Sequence, residues 1–191
     1  MTREPRVPLG DDSRPLGRDP ELVRLLAEYQ DTVVRSRHLD AVTTELVRLR
    51  CARQHDCRIC QTLRLADAAT EGVDATVTSK IDRYEDSDLD ERHKVALRIV
   101  DAMIWRPTQI TDDLVEQAHT HFSADELAEL LVDVTKWSTQ KIHVTLGTDG
   151  ADRLPVNDQG VAYFDFDATG RVSSVTSALP TRGEGSGGPW A

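Results

Sequence analysis

Two cysteines separated by two residues, Cys57-Arg58-Ile59-Cys60, are the part of this sequence best suited to chemistry. On a helix, the three-residue step puts both sulfurs on one face, within reach of disulfide geometry. Asp56 is a good N-cap residue, so the spacing predicts a helix with Cys57 at its first position. The unpaired amides and positive dipole end of such a helix favour thiolate over thiol. Arg64 follows Cys60 by four residues and Cys57 by seven, on that same stripe, where a guanidinium would lower a thiol pKa further. Glu45 precedes the pair by eleven intervening residues, and His55 could supply an imidazole. A low-pKa thiol beside a resolving thiol is what peroxide reduction or disulfide exchange requires.

Plainer readings compete at each position. Cys57 and Cys60 could be two small buried residues, and Glu45 an exposed helix carboxylate paired with Arg48. A zinc site needs two further ligands, and no second cysteine pair or Cys/His pair occurs at a recognisable spacing. His119 and His121, two apart on a helix, point to different sides. Cys51 reads as a buried structural thiol, and His38, His93 and His143 as solvated or hydrogen-bonded side chains. No metal and no cofactor are expected, since no glycine-rich strand-to-helix turn occurs in the helical region.

The elements that must position these residues are marked by helix breakers. Between Glu21 and Leu146 there is one proline, Pro107, and one glycine, Gly72; four prolines precede this stretch and eight of eleven glycines follow it. The sequence therefore divides into an irregular arm (1–20), a helical domain (21–147) and an extension (148–191). About seven helices are predicted: 21–35, 40–54, 57–72, 75–84, one ending before Pro107, a short one capped by Thr111, and a long one to Gly147. Asp88 with Glu91 and Ser123 with Glu126 fit capping boxes, and Phe122 with Leu127 a hydrophobic staple. Leu127, Leu130, Leu131, Val134 and Trp137 mark the apolar stripe of the last helix, core or subunit interface. In the extension, residues 161–175 read as a β-hairpin turning at Asp167-Ala168-Thr169-Gly170, and 181–191 as disordered.

Glu-x11-Cys-x2-Cys, spanning the end of one helix and the start of the next, resembles the active-site signature of alkylhydroperoxidase-like (AhpD-like) proteins, a branch of the carboxymuconolactone decarboxylase family. The segment from Glu91 to Gly147, above all HFSADELAEL, is similar to that family's second half. The resemblance covers about residues 21–147 and implies an all-α, AhpD-like helical bundle, with the hairpin-like tail outside it. It implies that Cys60 attacks a hydroperoxide, Cys57 resolves the sulfenic acid, and Glu45 helps move the proton, a dithiol or protein reductant then restoring the pair. The dipole argument instead favours Cys57 as the more acidic thiol. Where the family pattern has a histidine beyond the second cysteine, this chain has Arg64, which stabilises a thiolate but cannot relay a proton. That departure weakens peroxide reduction more than thiol–disulfide exchange. A lactone-decarboxylating lyase and a non-catalytic helical assembly are the alternatives.

The wider composition narrows the partners. A net charge of −10 and no basic run argue against nucleic acid. No apolar stretch spans a bilayer and the first residues lack a signal-peptide pattern, so a cytoplasmic protein is expected. The resemblance implies a homo-oligomer, trimer or hexamer.

Overall fold

The computed structural model describes Arg6 and residues 20–180. The arm expected over 1–20 and the disordered end expected over 181–191 fall almost wholly outside these residues.

Asp40 caps the element on which the rest is hung. Its carboxylate accepts the Thr43 amide at 2.7 Å and starts helix α2 (Ala41–Gln54). Ten residues of α2 are buried, including Glu45 and Arg48, so it is enclosed on all sides rather than amphipathic. Helix α1 (Pro20–Arg35) precedes it in the chain. The later helices α6 (Glu91–Trp105), α7 (Asp112–His121), α8 (Ala124–Ser138) and α9 (Lys141–Leu146) follow in sequence. Leu39, Val47, Cys51, Val95, Ile99, Val100, Leu130 and Val134 form the main core between α2, α6 and α8. Burial pushes the Cys51 thiol up to about 12, in keeping with an inert structural thiol.

Several caps are formed as expected. Thr111 accepts the Leu114 amide, and Ser123 and Glu126 make a reciprocal capping box. Phe122 and Leu127 pack in one cluster. Asp88, by contrast, makes no capping box. Asp90 is the N-cap of α6, and Asp88 pairs with Lys80 at 2.6 Å. The last long helix also differs, turning at Thr139–Gln140 and resuming as α9. Leu127, Leu130, Val134 and Trp137 of the expected stripe pack in the main core, Leu131 is exposed, and Glu129, Asp133 and Lys136 are buried as well.

The helix expected over 57–72 is broken. The chain forms α3 (Arg58–Thr62), a strand β1 (Leu63–Leu65), α4 (Ala66–Thr70) and, after Gly72 at φ +102, α5 (Ala75–Ser79). The cause is tertiary. Strand β2 (Ala162–Phe166), from the extension, pairs in parallel with β1 as Leu63↔Ala162, Arg64↔Tyr163 and Leu65↔Phe164. Ladder bonds and the burial of Leu65, Phe164 and Phe166 outweigh the local helical preference of this short segment. Strand β3 (Val172–Thr176) closes the expected hairpin antiparallel to β2, completing a three-stranded sheet.

The hairpin turn sits against α1. Asp167 accepts the Thr169 and Arg171 amides, and Arg171 pairs with Asp31 at 3.0 Å. Gly170 has φ +86, and a Cβ there would lie 2.2 Å from the Asp31 carbonyl oxygen, so glycine is required on both counts. The extension is thereby folded onto the helices beside the cysteine pair.

Candidate functional site

The chain reverses between α2 and α3 at Asp56, whose φ is +51. That conformation is not an N-cap's. Cys57, in an extended conformation, is the N-cap instead, and the helix begins one residue later than expected, at Arg58. The α3 amides are not left for a thiolate either. The Arg58 amide donates to the Asp149 carboxylate at 3.1 Å, and the Ile59 amide to the Asp149 carbonyl at 3.1 Å. The Arg58 guanidinium adds two more bonds to the same carboxylate. Burial pushes the Asp149 carboxyl up, but these Arg58 hydrogen bonds outweigh it and hold the group below the usual range. Asp149 was not singled out in the sequence, where nothing connects it to a site ninety residues earlier.

Cys57 and Cys60 are joined as a disulfide, with their Cα atoms 5.3 Å apart. Their environments differ. Cys57 is fully buried, whereas Cys60 is half-buried and lines a cavity of about 320 Å³. Accessibility therefore reverses the order that the dipole argument favours. The cavity walls are Ile59 and Leu63 beside the pair, Trp137 on α8, and Phe164, Phe166, Val172 and Val175 from the extension. Two cations, Arg48 and Lys136, also face it. A larger cavity of about 650 Å³, framed by Arg50, Tyr84, Asp101 and Trp105, includes neither cysteine of the pair.

Glu45 is 1% exposed, not the solvated carboxylate of the plainer reading. Arg48 binds it through two bonds, Nε at 2.6 Å and Nη2 at 2.8 Å, and the Leu65 amide donates to it at 3.3 Å. The same guanidinium donates to the carbonyls of Cys60 and Leu63 at 2.9 and 2.6 Å, and its carbon lies 5.3 Å from the Phe164 ring centre. Arg48 thus ties the glutamate, the second cysteine, β1 and the extension together.

Arg64 and His55 are not brought to Cys60. With α3 ending at Thr62, no helical stripe reaches Arg64. It lies on β1, donates to the carbonyls of Gln61 and Leu63, and faces a different cavity with Asp74, Thr78 and Tyr163. Burial, then the nearby Arg48, lowers its pKa. His55 ends α2 and lines a third cavity with Trp105 and Lys141. Its ring nitrogens have no hydrogen-bond partner among the described residues, and burial, then Lys141, lowers its pKa to about 4. Among the described residues no cluster of His, Cys, Asp or Glu could hold a metal, and no helix is long and apolar enough to cross a membrane.

Comparison with solved structures bears on the fold. A protein of unknown function from Agrobacterium tumefaciens, provisionally described as antioxidant defence protein AhpD, superimposes with a TM-score of 0.60 at 20% identity. The match covers 81% of this chain and all of that one. The fold is AhpD-like. The debrominase Bmp8, in a cysteine-to-alanine variant bound to 2,3,4-tribromopyrrole, matches at TM-score 0.57 and 12% identity, over 71% of this chain and 73% of its own. At such identities the likeness is one of fold alone. In sequence, uncharacterized proteins from two Mycobacterium tuberculosis strains are 40% identical over 143 residues, 71% of this chain. The chain spans about half the length of these curated relatives. No protein-family profile matches it.

Proposed function

We propose that this protein is a thiol–disulfide oxidoreductase of the AhpD-like type that reduces hydroperoxides through Cys60 and Cys57. The observation that carries this reading is the asymmetry of the bonded pair. One sulfur is sealed in the core, and the other lines a cavity that could admit a substrate. In this reading the Cys60 thiolate attacks the peroxide O–O bond and becomes a sulfenic acid. Cys57 then condenses with it, releasing water and forming the disulfide, and an external dithiol or protein reductant restores both thiols.

Glu45 enters the proposal through Arg48. With its oxygens held by that guanidinium and by the Leu65 amide, the carboxylate anchors the arginine that holds the Cys60 carbonyl. Exposed Leu22 and Leu25 on α1, with Leu131 and Val132 on α8, suit the self-association that the resemblance implies.

The reading is tested by reducing the protein, adding one equivalent of tert-butyl hydroperoxide, and mapping the thiols by peptide mass spectrometry. Formation of a Cys57–Cys60 bond is expected. Cys60→Ser should abolish peroxide consumption, and Cys57→Ser should leave a sulfenic acid at Cys60 that dimedone traps. Both thiols remaining unmodified in the wild type would refute it.

A further inference from the structure

Peroxide reduction by Cys60 requires a group that accepts the thiol proton and returns it to the departing oxygen, and the residues at the cysteine pair do not include a free one. Arg64 and His55 face other cavities, and both oxygens of Glu45 are engaged. The Arg48 guanidinium holds its proton too tightly to give it up. Lys136, in the last turn of α8, lines the same cavity as Cys60 while only 3% exposed.

Its setting is unusual for a lysine. Among the described residues its Nζ makes neither a hydrogen bond nor an ion pair within 4 Å. The amine is packed instead against the Trp137 ring and lies 5.5 Å from the Phe166 ring centre. Arg48 from α2, Asp31 from α1 and Asp133 from α8 itself are the charged groups that act on it. Glu129, two turns back on α8, acts on Asp133, and Glu45 is neutralised by Arg48. An ammonium so placed is strongly desolvated and returns a proton readily. Burial, against the pull of Asp133, lowers the Lys136 pKa toward neutrality, where both forms are available.

We infer that Lys136 is the acid–base partner of Cys60, an inference that rests on the peroxide-reducing reading above. The neutral amine takes the Cys60 thiol proton, giving a thiolate and an ammonium. The thiolate attacks the outer peroxide oxygen and the O–O bond breaks. That oxygen stays on sulfur with its hydrogen as a sulfenic acid, and the other oxygen leaves as an alkoxide. The ammonium protonates the alkoxide to an alcohol and returns to the amine, so protons and electrons balance within the step. The aromatic walls contributed by the extension make the cavity around that transfer largely apolar.

The test compares wild type, Lys136→Met and Lys136→Arg in two assays: tert-butyl hydroperoxide reduction across pH, and iodoacetamide alkylation of reduced Cys60 across pH, read by peptide mass spectrometry. Methionine fills the apolar surroundings, and folding is checked by urea midpoint. Lys136→Met should slow peroxide reduction about 100-fold or more and erase the near-neutral inflection of the rate. It should also slow Cys60 alkylation at neutral pH about tenfold, by raising the thiol pKa. Lys136→Arg should restore the alkylation but not the reduction, because a guanidinium supplies charge without a transferable proton. Rescue of reduction by arginine, or a loss under threefold in a folded methionine variant, would overturn the inference. If the wild type consumes no peroxide, the functional reading fails on its own. The alkylation arm then decides Lys136, whose pairing with Cys60 is refuted if the methionine variant matches wild type.

Discussion

Replacing Arg48 by methionine removes the guanidinium at which four parts of the site converge. Glu45, 1% exposed, would lose two of its three hydrogen-bond donors and keep the Leu65 amide alone, at 3.3 Å. The carbonyls of Cys60 and Leu63 would each lose a donor in a part-buried setting. Breaking a buried ion pair by deleting one partner costs about 3–5 kcal/mol, because a charge is left uncompensated. Taking about 4 kcal/mol, and a melting-point shift of about 2–4 °C per kcal/mol for a domain of this size, Arg48→Met should lower Tm by about 8–16 °C. The assay is urea and thermal unfolding followed by circular dichroism, at pH 7 and with the disulfide intact. The double variant Glu45→Gln/Arg48→Met separates causes. If the uncompensated carboxylate is the source, the second substitution restores a large part of the loss, leaving the deficit of the two carbonyls. A loss below about 1 kcal/mol for the single variant, or an additive loss for the double, would refute the reasoning that Glu45 and Arg48 act as one buried unit.

Two further outcomes test how the extension and the reversal at Asp56 hold the pair. Gly170→Ala combines a φ of +86 with a clash against the Asp31 carbonyl. It should destabilise by at least about 1–3 kcal/mol, and increased protease sensitivity of residues 148–180 would show the hairpin lifting from α1. Asp149→Asn should destabilise by about 1.5–3 kcal/mol at pH 7, as expected when hydrogen bonds to a charged group are lost. Because Asp149 titrates lower in the folded than in the unfolded chain, its contribution is complete above the unfolded carboxylate range. It is lost as pH falls through the folded value, so the gap between urea midpoints of wild type and Asp149→Asn should begin to narrow below about pH 4 and close only below the folded value.

The legible parts of the sequence were those whose signals are local. Ser123 with Glu126 and Thr111 before α7 are caps made within one turn of chain, and both are formed. The three-residue spacing of Cys57 and Cys60 limits how far the sulfurs can separate, and they are bonded. The hairpin turn at Asp167–Gly170 was likewise visible, because a side-chain bond to the amides two and four residues on needs no outside partner.

What escaped was decided between segments distant in the chain. The helix expected from Cys57 to Gly72 had adequate local propensity, and only the arrival of β2, a hundred residues later, turns Leu63–Leu65 into a strand and carries Arg64 away from the thiols. No local pattern marks Asp133 and Lys136, yet both are buried, and side chains of α1, α2 and the extension share a cavity with Lys136. Composition and periodicity alone determined a chain of helices carrying a closely spaced cysteine pair. Which sulfur meets the cavity, and which charges surround it, only the tertiary structure decided, because burial depends on what the whole fold places overhead.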